Sequence, residues 1–151
     1  MKTMVCVNNL GYEAFNYDLF NDVNKIAASS LEEVSIVPAD ITNKVIQINT
    51  AISNLAEMSS FSNGLMLAGT IENAKRILSC ANTCKKALFL YDIDWFHSIM
   101  SYDDIWDTLN DSCLNIFCRS ESHADAVYAS TGRRPIVIGE FSLEKIWNSL
   151  E

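Results

Sequence analysis

The sequence predicts a three-layer α/β domain on a doubly wound, mainly parallel sheet of six strands. Short apolar runs alternate with helix-period segments from one end of the chain to the other. The runs are solid rather than alternating, which marks strands covered on both faces by helices. The 151 residues contain only 5 Gly and 2 Pro, and no repeat or low-complexity linker divides them, so residues 1–151 are expected to form one domain.

Each element has its own signal. Met4, Val5, Cys6 and Val7 open the chain as a strand that runs out into Asn8 and Asn9. A helix is expected over 12–28, with Phe15, Leu19, Phe20, Val23 and Ile26 on one stripe. The second strand is 34–38. Val45, Ile48, Ile52, Leu55 and Met58 are spaced 3, 4, 3 and 3 apart, the spacing of an amphipathic helix. The third strand is 64–69, and Thr70 caps a helix containing Ile71, Ala74, Ile77 and Leu78. The fourth and most apolar strand is 87–92. Ser101 with Asp104 opens a short helix in a box-like pattern. The fifth strand is 113–118, followed by a helix from Ser120 to about Ser130 with Gly132 as its C-cap. The sixth strand is 135–138, and Ser142 starts a last helix bearing Leu143, Ile146, Trp147 and Leu150. Strand–helix–strand units cross over right-handed. The expected strand order is 3-2-1-4-5-6, a Rossmann-like sheet.

Composition narrows the function. Apolar residues are 49% and charged residues 20%, an ordinary globular balance. Eleven Lys and Arg against 19 Asp and Glu give a net charge of −8. Such a chain is a poor ligand for nucleic acid, which needs clustered cations, and is repelled by anionic membrane surfaces. No apolar run approaches the roughly 20 residues that span a bilayer. The amino terminus turns polar too soon for a signal peptide. The five cysteines are Cys6, Cys80, Cys84, Cys113 and Cys118, and their odd number suggests free thiols in a reducing cytoplasm. Their spacings include no Cys-x-x-Cys knuckle, so buried thiols are expected rather than a metal site.

Several motifs are missing. The turn from Asn8 to Glu13 holds one glycine and is not G-x-G-x-x-G. No P-loop and no G-x-S-x-G elbow is present. A phosphoryl-accepting site after the first strand would want acids where Asn8 and Asn9 stand. No cofactor is therefore expected.

In such sheets ligands sit outside the carboxyl ends of the strands, where the strand order reverses. Under the expected order, Asn8, Asn9 and Gly11 face Asp92, Asp94 and Trp95 there. Neighbouring strand ends add Gly69 and Thr70, then Arg119, Ser120, Ser122 and His123, then Gly139 and Glu140. Carboxylates and amides suit sugar hydroxyls, an aromatic plate suits a sugar's C–H face, and Arg or a helix N-terminus suits phosphate. Each residue also has a plainer reading. Asp92 and Asp94 can cap their own turn. Trp95 and Phe96 can be core or interface. Arg119 can pair with the stretch from Asp92 to Asp111, which holds six acids and no Lys or Arg. His123 can be a neutral hydrogen-bonding group or simply exposed.

The segment from Cys118 through Arg119, Ser120, Glu121, Ser122, His123 and Ala124, followed by 131–138, resembles a stretch of GT-B-type glycosyltransferases. In those enzymes a strand ending in a Ser or an Arg-Ser pair leads through a helix and a Gly-containing turn to a further strand at the interdomain cleft. Residues 88–95, with Tyr91, Asp92, Asp94 and Trp95, look like a strand end of small phage-encoded proteins related to those enzymes. The resemblance implies the acceptor-side, N-terminal half of such an enzyme. Arg119, Ser120, His123, Asp92 and Asp94 would then face the cleft, with Asp92 or Asp94 as base and Arg119 neutralising phosphate. The ligand would be a sugar or nucleotide-sugar. Those enzymes pair two Rossmann-like domains, and no second Gly-rich loop or Glu-containing donor motif occurs here. Transfer would need a separate donor-binding domain. The alternative is a non-catalytic binding or assembly module, with Trp95, Phe96, Trp106 and Trp147 forming a homodimer or docking patch. A nucleotide-binding enzyme on a flavodoxin-like sheet is disfavoured by the missing phosphate loop.

Overall fold

The computed structural model describes residues 2–29, 33–41, 47–93, 95 and 98–151. Its strands are β1 (Lys2–Val7), β2 (Glu33–Pro38), β3 (Ala51–Ile52), β4 (Leu65–Ala68), β5 (Lys85–Leu90), β6 (Leu114–Cys118) and β7 (Ile136–Val137). They form one all-parallel sheet in the order β3-β2-β1-β4-β5-β6-β7. The helices are α1 (Ala14–Ser29), α2 (Ile71–Ser79), α3 (Tyr102–Asn110), α4 (Glu121–Thr131) and α5 (Leu143–Asn148), with a 3₁₀ turn at Leu55–Ser60. The doubly wound, Rossmann-like α/β fold is as the sequence predicts; numbered in chain order the strands run 3-2-1-4-5-6-7, and the strand added to the six expected is β3, at the edge beside β2. No described helix is long and apolar enough to cross a membrane.

The strand in third place is not the expected one. The run 64–69 forms β4, which lies against β1, with Thr3 opposite Leu65 and Cys6 opposite Ala68. Every residue of β4 is inaccessible to solvent, which an edge position does not allow. The edge beside β2 goes to Ala51–Ile52, whose Ser35 and Ile36 partners leave Ile52 43% exposed.

The amphipathic helix expected around Val45 to Met58 is absent from the described part of that segment; Val45 itself lies outside it. Ile48 packs on the α1 side of the sheet and Met58 is buried on the α2 side, so the apolar stripe serves two faces and cannot be one helix face. Hydrogen bonds hold the chain extended instead. Thr50 Oγ1 donates to the Val34 carbonyl, and the Asn49 and Ser53 amides donate to Asn24 Oδ1 and the Ile36 carbonyl.

Residues along β1 alternate between two cores, as a period of two requires. Met4 and Cys6 pack under α2, α3 and α4, and Val5 and Val7 under α1 and α5. Phe20, Phe89 and Phe117 are fully buried in the second core, each contributing about 2 kcal/mol by burial. The expected caps are all present. Thr70, Ser101, Ser120 and Ser142 accept from the amides of Asn73, Asp104, His123 and Lys145, and Gly132 ends α4 at φ 73°. These caps fix where α2, α3, α4 and α5 begin, and hence which groups stand at the sheet's carboxyl edge.

Candidate ligand site at the carboxyl edge

The strand order reverses between β1 and β4, and the protein's own side chains occupy that point. Asn8 Oδ1 accepts from Asn73 Nδ2 at 2.9 Å and Thr70 Oγ1 at 3.3 Å, and Asn73 Oδ1 accepts from Arg76 at 2.9 Å. Asn9 turns on itself: its Oδ1 accepts from the Gly11 amide at 2.8 Å, and its amide donates to Glu13 at 2.6 Å. Asn16 Nδ2 ties down the carbonyls of Asn9 and Gly11. Gly69 lets the Phe15 ring rest on the end of β4, where any Cβ would collide with it. The expected facing of Asn8, Asn9 and Gly11 with Asp92 therefore does not occur, because β4 stands between β1 and β5.

The open site lies further along, over β5, β6 and β7. Tyr91 follows β5, Arg119 and Ser120 follow β6, and Gly139 and Glu140 follow β7. The Arg119 guanidinium stacks 3.9 Å above the Tyr91 ring centroid. Burial pushes the Tyr91 phenol up; its hydrogen bond to Asp18 and that carboxylate's charge add, and Arg119 opposes. Arg119, Ser120, His123, Gly139 and Glu140 line a cavity of about 390 Å³. A second cavity of about 410 Å³ adjoins it, sharing Arg119 and Glu140 and walled by Asp18, Asn21, Asp22 and Lys25 of α1.

His123 is mostly buried, and its Nε2 stands 4.0 Å from Asp92 Oδ1, a carboxylate 73% exposed. Asp92 Oδ1 also accepts from the Ile93 amide at 2.9 Å, the turn-capping contact expected of an acid at a strand end. His123 Nδ1 and Arg119 Nε are both buried without a hydrogen-bond partner among the described residues. Ser120 Oγ, which caps α4, lies 2.9 Å from Ser122 Oγ. The first-turn amides of α4 point out of the helix end and favour an anion. Glu121 in that turn is held by Arg134 at 2.6 Å.

The structure thus brings together Arg119, Ser120, His123, Glu140 and Asp92. It leaves Asn8 and Thr70 in one separate knot, and Asn9 and Gly11 in a turn of their own. Trp95 packs on the opposite face of the sheet from Tyr91, against the α2–α4 core, so it is no plate for this site. Asp94, Phe96 and His97 lie outside the described residues. Trp147 packs on the α1–α5 face, away from Trp95 on the α2–α4 face and from Trp106, which lines a groove with Trp95, and this splits the expected aromatic patch. Tyr91, Asp18, Asn21 and Lys25 were not expected here. The α1 residues do form a polar stripe in the sequence, at 18, 21, 22 and 25, but nothing in that stripe distinguishes a cavity wall from a solvated face.

Chemically, the site offers a guanidinium, an imidazole, hydroxyls and helix amides on one side, and the carboxylates of Glu140 and Asp18 on the other. The chain matches no protein-family model, no curated protein and no solved structure.

Proposed function

We propose that the chain is the acceptor-side half of a glycosyltransferase-like pair, and that the crevice over β5–β7 binds a phosphate-bearing sugar. The observation that most supports this reading is the pairing of Arg119 and His123 at one cavity, each with a buried nitrogen lacking a partner. A buried donor or acceptor without a partner costs about 1–3 kcal/mol, so a ligand that satisfies it gains that much. Arg119 and the amino end of α4 take the phosphate. Glu140 and Asp18 accept sugar hydroxyls. Asp92, beside His123, is the carboxylate placed to draw a proton from an acceptor hydroxyl; Asp94 is its alternative. The activated sugar comes from a separate donor-binding domain.

Titration calorimetry tests the binding. Inorganic phosphate, glucose 6-phosphate and UDP-glucose are the probes, and glucose is the neutral control. At least one phosphate-bearing sugar gives heat and binds more tightly than inorganic phosphate. Arg119→Ala weakens it about tenfold or more. No heat from any probe, or unchanged affinity in Arg119→Ala, overturns the reading.

A second reading, a binding or assembly module without catalysis, is favoured by one observation. The reversal point, where ligands of such sheets sit, is stoppered by Phe15. Binding without sugar transfer, when a donor half is supplied, would select it.

A further inference from the structure

We propose that the groove between α3 and the carboxyl end of α4 docks a cationic amphipathic helix of a partner protein. The groove is a cavity of about 440 Å³ on the α2–α4 face of the sheet, and the proposal is independent of the sugar reading. Its floor is apolar: Trp95, Met100, Ile105 and Leu109, with Ala129 to Thr131 as the far wall. At its mouth Tyr102 and Trp106, one turn apart on α3, stack with ring centroids 6.3 Å apart. They remain 70% and 39% exposed. Large aromatic side chains at a groove mouth are the usual anchors of a protein contact.

Charge identifies the occupant. From Asp92 to Asp111 the chain carries six aspartates and no Lys or Arg. Asp104 is neutralised from α2 by Lys75 at 2.5 Å. Asp103 and Asp107 are exposed beside the Tyr102–Trp106 stack and make no ion pair among the described residues. They stand one turn apart, where like charges repel. A helix with an aliphatic face and lysines or arginines along its flanks would seat the former in the groove and relieve the latter. A second copy of this chain fits badly. A two-fold contact through this groove would bring each copy's acidic α3 against the other's.

Calorimetry with a synthetic Leu/Lys peptide of about 18 residues, five helical turns, tests the proposal. The controls are a peptide of the same composition with the leucines scattered and one with Glu replacing Lys. The patterned basic peptide binds saturably and more weakly as salt rises. Trp106→Ala weakens it about tenfold, as does the double variant Asp103→Asn/Asp107→Asn, which alters only exposed side chains and keeps the fold. No saturation up to about 1 mM peptide overturns the proposal. So does equal binding of either control, or unchanged binding in both variants. Displacement by glucose 6-phosphate would move the peptide to the other site and overturn it as well. A dimer in light scattering, abolished by Trp106→Ala, would assign the groove to a second copy instead.

Discussion

At the scale of single residues, the Phe15 ring fills the space at Gly69 that a Cβ would need. Phe15 is wedged among Phe89, Tyr91 and Phe141, with ring centroids 6.0, 6.1 and 5.3 Å away, so its ring cannot swing aside for a methyl group. Gly69→Ala is expected to cost about 1–3 kcal/mol in urea unfolding, and Phe15→Leu in the same chain to return part of it. If Gly69→Ala unfolds at the wild-type midpoint, the ring does not hold that position. The thiols make a second residue-scale prediction. Burial pushes Cys6 up to about 12, with Cys80 adding and Arg76 opposing, whereas Cys113 is exposed. Iodoacetamide followed by mass mapping should label Cys113 first and Cys6 only on unfolding, because the thiolate is the reacting species.

At the scale of elements, Arg133 joins three parts of the chain. Its guanidinium donates to the Leu109 carbonyl at 3.1 Å, to the Asp111 carbonyl at 2.6 Å and to the Leu114 carbonyl, closing the end of α3 onto the start of β6. Arg133→Ala should cost about 2 kcal/mol, and Arg133→Lys should recover only a fraction, since an ammonium lacks the planar fork. Equal stability of Ala and wild type would dismiss this clasp. Ser120→Ala should cost about 1 kcal/mol through the cap of α4. Caps such as Ser120 and Gly132 were legible in the sequence because their signals are local: for Ser120 one side chain and one amide three residues on, for Gly132 the left-handed backbone that ends the helix. The segment around Ile48 to Met58 was not. Its spacing fits a helix, and only the sheet reveals that Ile48 and Met58 belong to opposite faces. Arg133 was passed over for a related reason, since its partners are carbonyls 19 to 24 residues away that carry no side-chain signature.

At the scale of the whole molecule, the acidic balance of −8 makes stability respond to pH, and Asp22 contributes a defined part of it. Burial raises Asp22 above its ordinary 3.8, while the Leu143 amide it accepts from, at 2.8 Å, and Lys25 pull it down. A carboxyl whose folded value is raised binds more protons in the native state. Stability from this group is therefore lost as pH climbs through the window that opens at 3.8. Asp22→Asn keeps the acceptor for Leu143 and removes that slope. Between acid and neutral pH its urea midpoint should fall less, or rise more, than the wild type's, and an unchanged slope would acquit Asp22. The parallel sheet was readable at this scale because continuous apolar runs such as 64–68 and 87–90 demand cover on both faces. Which run lies beside which was less readable, since burial does not label neighbours. That one misplaced strand moved the expected site to the β1 end, while the groups that do cluster, Arg119, Ser120, His123 and Glu140, were visible as polar residues directly after apolar runs.

The ring lodged against Gly69 divides the labour along the upper rim of the molecule. With the central notch corked, the flank above β1 and β2 serves as masonry, and damage there should show up as melting. The flank above β6 and β7 carries no such cork, so damage at Arg119 or Glu140, which cap no helix, should show up as lost grip on a guest while the melting point stays put.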